Sequence, residues 1–156
     1  MMRAINPAEK FHALTARQKR LVHLRLCRTA LGRLSVYFAE TGPISYVESI
    51  VGTRQTIDPK LPAEAYRCAT EGKDRCEAER RYWEPLTALQ HEDVEFPPSV
   101  EYAYYAVYNL FCKYALRKNV DDWLIVNQAL AAEEDETKWK TLLEEAIEKA
   151  HDESDR

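Results

Sequence analysis

The segment Val100–Arg117, VEYAYYAVYNLFCKYALR, holds five of the chain's nine tyrosines and decides the fold. Projected at about 100° per residue, Val100, Ala103, Tyr104, Val107, Phe111 and Tyr114 fall on one face of a helix. Its only polar strip runs through Glu101, Asn109, Lys113 and Arg117. A helix that is apolar nearly all round needs neighbours on several sides, so this segment reads as the central helix of a bundle. The expectation is an all-α, single-domain helical bundle of six or seven helices.

The flanks agree with that expectation. Downstream, Asn119–Asp122 forms a turn and cap before a helix over about 122–132, with Trp123, Val126 and Leu130 inward. Trp139, Leu142, Leu143, Ala146, Ile147 and Ala150 recur at i, i+3, i+4, i+7, i+8 and i+11, predicting a last helix over about 136–150 with Asp135 capping its start. Residues 1–150 thus make one domain, and 151–156 a frayed tail. Upstream, Thr15-Ala16-Arg17-Gln18 has capping-box spacing and opens a helix over about 16–40, which Thr41-Gly42-Pro43 stops. Its inner face carries His23, Leu26, Cys27, Ala30, Leu31, Leu34, Tyr37 and Phe38, and its outer face Arg17, Arg25, Arg28 and Gly32. Asn6-Pro7-Ala8-Glu9 starts a short turn of helix over about 7–13. Residues 44–57 fit either a short helix or a small hairpin around Gly52, because Tyr46, Val47, Ile50, Val51 and Ile57 are β-formers. Further helices are expected over about 62–71, ending at Gly72, and about 74–90, where Trp83, Leu86 and Leu89 point inward and Pro85 kinks the run. An acidic, Pro-rich loop, His91 to Pro98, follows.

Composition bounds the class. A chain of 156 residues is one ordinary domain in length, and 46% hydrophobic residues suffice for a core. No apolar run reaches the roughly 18–20 residues that span a bilayer, and the N-terminus lacks the apolar stretch of a signal peptide. A cytoplasmic protein with no membrane partner is the expectation. Cys27, Cys68, Cys76 and Cys112 form no CxxC pair and read as small buried hydrophobes.

The net charge of −4 is unevenly spread. Residues 1–33 carry eight Lys/Arg against one acid, a net +7. Residues 34–132 carry ten against fifteen, and residues 133–156 four against ten, for −5 and −6.

Few residues suggest chemistry. His23 and Cys27 lie i, i+4 on one helix face, a geometry that two metal ligands can use, but no third ligand accompanies them. Arg17 and His23 have the spacing found in some helical ribonucleases, with Arg on phosphate and His as acid or base. There is no GxSxG, P-loop or GxGxxG. No catalytic residue, metal or cofactor is expected. The basic stripe of Arg17, Arg25 and Arg28 could meet nucleic acid, but the rest of the chain, at −11, would repel phosphate. Acidic clusters at three connections, Glu92/Asp93/Glu95, Asp121/Asp122 and Glu133/Glu134/Asp135, lie beside tyrosines such as Tyr102 and Tyr105. That combination suits the basic surface of another protein. Self-association through the tyrosine helix is a further reading.

The run from Glu101 to Leu130, EYAYYAVYNLFCKYALRKNVDDWLIVNQAL, resembles the central part of small all-α immunity proteins of bacterial polymorphic-toxin and contact-dependent-inhibition systems. The resemblance covers about 30 of the 156 residues and points to no specific family. It implies a non-catalytic role, binding and neutralising a cognate toxin domain. The alternatives are a ribonuclease-like enzyme using Arg17 and His23, and a nucleic-acid-linked regulator using the basic face of helix 16–40.

Overall fold

In the computed structural model, which describes residues 6–47, 52–72 and 95–154, the chain forms helices at the positions where periodicity and caps agree. They are α1 (Pro7–His12), α2 (Ala16–Thr41), α3 (Leu61–Glu71), α4 (Pro98–Tyr114), α5 (Asp122–Ala131) and α6 (Trp139–Ser154). A two-stranded antiparallel hairpin, β1 (Ile44–Val47) and β2 (Arg54–Ile57), joins α2 to α3, pairing Ile44 with Ile57 and Val47 with Arg54. The protein is predominantly all-α, with this hairpin as its sheet among the described residues. The expected helix over 74–90 lies outside the described residues, as do Trp83, Pro85, Leu86 and Leu89.

Caps set the boundaries. The Thr15 hydroxyl accepts the Gln18 amide and the Gln18 side chain accepts the Thr15 amide, a full capping box. Gly42 stops α2 and Gly72 stops α3, both with φ near +70°, a backbone that L side chains rarely adopt. Asp121 accepts the amides of Trp123 and Leu124 and starts α5. Asp135 differs from expectation. It caps a 3-10 turn, Glu136–Lys138, and α6 begins only at Trp139, whose indole N–H reaches the Glu133 carbonyl. At the other end α6 runs on to Ser154, past the last apolar position of its sequence pattern. There the Gln18 side chain donates to Ser154 Oγ at 3.1 Å, tying residues 151–154 to the start of α2.

The centre of the bundle is α4, which packs on α2, α3 and α5. Its two sides look into two apolar clusters. Val100, Ala103, Tyr104, Val107 and Phe111 meet Ala30, Leu34 and Phe38 of α2, Tyr46 and Ile57 of the hairpin, and Leu61, Ala65 and Cys68 of α3. Ala106 and Leu110 meet Val22, Leu26 and Cys27 of α2, Phe11 and Leu14 around α1, and the inner faces of α5 and α6. On α5 the buried positions are Ile125, Val126, Ala129 and Leu130, whereas Trp123 is half-buried. Burial of Tyr46 and Ile57 against α3 and α4 favours strands at 44–47 and 54–57, while Ile50 and Val51 lie outside the described residues. Cys27, Cys68 and Cys112 are buried, and Cys76 lies outside the described residues.

Phe111 is fully buried at the meeting of α2, α3 and α4. Phe111→Ala is expected to lower unfolding free energy by about 3–5 kcal/mol through lost burial and the cavity left behind. Val36→Ala, at a site 48% exposed, is expected to move it by less than about 0.5 kcal/mol. Urea unfolding of the two variants beside the parent chain measures both.

Candidate functional site

The cations of α2 divide between two roles. Those on its flanks meet the ends of other elements. Lys19 lies 3.8 Å from the Asp122 carboxylate at the start of α5. Arg20 donates to the Thr70 carbonyl at 2.9 Å, at the C-terminal end of α3, and its guanidinium lies over the Tyr114 ring. A cation there complements the negative end of the α3 dipole. Arg33 pairs with Glu134 in the link between α5 and α6, and Ser99 at the start of α4 donates to the same carboxylate at 3.1 Å. Those on its outer face, Arg17, Arg25 and Arg28, are exposed and make no ion pair with a described residue. The basic and acidic regions of the chain therefore meet internally along the flanks of α2 and part company on its outer face.

His23 is buried at the centre of one of these meeting points. Its Nε2 lies 2.8 Å from the Asp122 carbonyl, and its Nδ1 lies 2.6 Å from the Tyr114 hydroxyl. A carbonyl only accepts, so Nε2 carries the proton and Nδ1 accepts from the Tyr114 hydroxyl. Lys113 donates to the Asp122 carboxylate at 2.8 Å and to the Val120 carbonyl at 3.1 Å. Burial pulls the imidazole pKa down to about 4, against the opposing pull of the Asp122 carbonyl and charge. At Asp122 burial pushes the carboxyl up, but the hydrogen bond and charge of Lys113, with His23 and Lys19, outweigh it and hold the group below the ordinary carboxylate range. Burial, with the charge of Asp122, also raises the Tyr114 phenol.

This arrangement overturns the acid-base role for His23. The ring is fully covered, both nitrogens are engaged, and no substrate can reach it. Arg17 points to solvent and does not share its environment. Nor does the i, i+4 spacing of His23 and Cys27 make a metal pair, because the Cys27 thiol donates to the Ala106 carbonyl at 3.7 Å. Among the described residues no three His, Cys, Asp or Glu side chains come together as a ligand set.

The acidic residues expected at a partner surface are mostly engaged within the fold. Asp121 caps α5, Asp122 pairs with Lys113, Glu134 pairs with Arg33, and Asp135 caps the 3-10 turn. Hydrogen bonds from Thr137 hold the Asp135 carboxyl below its ordinary value. Glu133 is half-buried and accepts the Asp135 amide. Glu95 is exposed, and Glu92 and Asp93 lie outside the described residues.

Tyr102 and Tyr105 fare differently. Tyr102 is 45% exposed, and Tyr105 is half-buried one turn before Asn109 on the same face of α4. Burial, then the neighbouring Glu101 carboxylate, raises the Tyr105 phenol. The Asn109 amide donates to Gln128 of α5 at 2.7 Å and joins the two helices into one surface. On α5 that surface continues through Leu124, 42% exposed, with Asn127 and Ala131 beside it. These seven positions carry no ionisable acid or base group beyond the phenols, on a chain that is 31% charged. Leu124, Asn127, Gln128 and Ala131 were not singled out from the sequence, although their i, i+3, i+4 and i+7 spacing, opposite Ile125 and Val126, is the signal that would find them.

Comparison with protein-family models, with curated proteins and with solved structures gives no match for this chain. Among the described residues no helix is long and apolar enough to cross a membrane.

The His23 environment predicts a pH dependence. The folded pKa, near 4, lies below the ordinary 6.5 of an unfolded histidine, so the unfolded chain takes up the proton first. The stabilisation is therefore complete above about pH 6.5 and lost as pH falls towards 4, amounting to about 3 kcal/mol at the lower end. Urea unfolding at pH 7.5 and pH 4.5 should show a drop that His23→Leu reduces by most of that amount. An equal drop in parent and variant would refute the assignment.

Proposed function

We propose that this chain is a non-catalytic protein-binding domain that acts as an immunity-like protein, binding and neutralising a toxin domain. The observation that carries the reading is the tyrosine-bearing surface of Tyr102, Tyr105, Asn109, Leu124 and Gln128 across α4 and α5, bordered by Glu101 and Lys113. Interface cores are depleted in charge and enriched in tyrosine, and the aromatic residues in them supply most of the binding energy. Tyr102 offers an apolar ring with a hydroxyl at its tip. Leu124 adds aliphatic area, and the Asn109–Gln128 pair presents polar groups already held in place. In this reading the tyrosine face anchors the partner, while the exposed acids bordering the bundle, Glu95 among them, steer a basic domain towards it. Covering the basic site of such a domain is the inhibitory act, and no bond is made or broken. The resemblance of residues 101–130 to immunity proteins supports the same reading and falls on the same two helices.

The test is co-expression of this chain with a basic toxic domain, sought first among the products of genes adjacent to its own. Protection of the host cell and a purified complex are expected. Tyr102→Ala with Leu124→Ala should weaken that complex at least tenfold without changing thermal stability. Neither protection nor a complex would reject the reading, and so would full binding by the double variant.

A second reading rests on the exposed Arg17, Arg25 and Arg28, which together offer phosphate contacts along α2. Three such contacts would give a binding constant that falls with roughly the second to third power of salt concentration. Absence of any DNA or RNA mobility shift at 50 mM salt would dispose of it.

A further inference from the structure

We propose that the groove between α1 and α6 is a docking site for a cationic, amphipathic segment of a partner protein. This rests on the protein-binding reading above and assigns it a second contact, remote in kind from the tyrosine face. The groove has a volume of about 560 Å³ and opens to solvent. Its floor is apolar, made by Ala13 and Leu14 after α1 and Ile147 of α6. Its walls are acidic, with Glu9 on one side and Glu144 and Glu148 on the other.

These three carboxylates differ from the acids at the helix connections. Asp121, Asp122, Glu134 and Asp135 each hold a cap or a cation of this chain. Glu9, Glu144 and Glu148 make no ion pair with a described residue, although Lys10 lines the same groove. His151, at its end, is turned to the Gln18 side chain at 3.2 Å. The ridge continues along α6 through exposed Glu145 and Asp152, within the stretch of the chain whose net charge is −6. The lining of the groove thus carries three carboxylates against one lysine, a local excess of two negative charges.

The occupant follows from the shape and the sign together. An apolar floor between acidic walls matches a side chain with an apolar stem and a cationic head, which is what Lys and Arg present. The volume lies within the roughly 300–1,000 Å³ of ordinary ligand sites and takes a few side chains rather than one. A segment with an aliphatic residue flanked by Lys or Arg one helical turn away sets the aliphatic group on Leu14 and Ile147. Its cations then meet Glu144 and Glu148. An anionic or purely apolar segment has no counterpart for those walls.

The probe is a 14-residue amphipathic peptide of leucine and lysine, with a Glu-for-Lys counterpart and an oligolysine as controls. Isotope-labelled full-length chain is titrated at 50 mM and 300 mM salt. Saturable 1:1 binding is expected, with amide shifts confined to Ala13, Leu14 and residues 144–151. Glu144→Gln with Glu148→Gln, both surface changes of equal size, should weaken it at least tenfold with an unchanged melting temperature. Equal binding of oligolysine, shifts scattered over every acidic surface, or full affinity in the double variant would overturn the proposal. So would a salt-sensitive dimer abolished by the same double variant, since the occupant would then be a second copy offering Arg17, Arg25 and Arg28. The toxin-domain complex separates the two levels. If Tyr102→Ala weakens that complex and the glutamine variant does not, the groove assignment falls and the protein-binding reading stands. If no complex forms at all, the reading itself falls.

Discussion

An eighteen-residue run of nearly unbroken apolar and aromatic sequence cannot face water, and covering it organises the whole chain. Each large side chain removed from water contributes about 1.5–3 kcal/mol. On α4 such side chains point to two sides, so one neighbour is not enough. The 26 residues of α2 make a helix of about 39 Å, long enough to lie along both apolar clusters. The remaining elements then close the two clusters, with α3 reaching both through Cys68 and Ala69. The hairpin and α3 complete the side that holds Tyr104 and Phe111, whereas α1, α5 and α6 complete the side that holds Leu110.

Apolar covering is non-directional and leaves register to polar contacts. The flanking cations of α2 supply them, and each finds the end of another element. Lys19 reaches the first residue of α5, Arg20 the last carbonyls of α3, and Arg33 the link before α6. His23 adds a contact that discriminates by geometry, because a neutral imidazole with one donor and one acceptor fits only a carbonyl on one side and a hydroxyl on the other. A one-residue slip of α5 along α2 would leave Nε2 buried and unsatisfied, and a slip of α4 would do the same to Nδ1, at about 1–3 kcal/mol for each. The surplus of positive charge in the first 33 residues is thus in part a device of assembly.

Local signals made the helices legible. The 3.6-residue period of α2, α4 and α6, the capping box at Thr15, and Gly42 and Gly72 each act within a few residues, so the sequence displays them directly. Residues 44–57 were not decided locally, because the same β-branched and aromatic residues fit a short helix. What decides them is the cluster around α3 and α4 that receives Tyr46 and Ile57. Asp135 was a correct cap of the wrong element, since the indole of Trp139 bonding back to Glu133 holds one turn tighter than α. The contacts of His23 were beyond reach for another reason. Tyr114 and Asp122 lie 91 and 99 residues away, and helical period says that His23 turns inward, not what it meets.

The same distinction governs the acids. An Asp or Glu beside a helix start is favoured there by the helix dipole and by the free amides of the first turn. Asp121 and Asp135 serve that local need, and Asp122 and Glu134 answer cations brought from far along the chain. The two clusters Asp121/Asp122 and Glu133/Glu134/Asp135, which look like a binding surface in sequence, are therefore largely consumed by folding. Acids with no ion pair to a described residue include Glu9 of α1 and, mid-helix on the outward positions of α6 where no cap exists, Glu144 and Glu148. Tyr102 and Leu124 remain by a parallel logic, apolar groups on the outward sides of helices whose inward sides are already filled. Availability for binding is thus a residue of the fold's own pairing, and it concentrates on α4, α5 and α6.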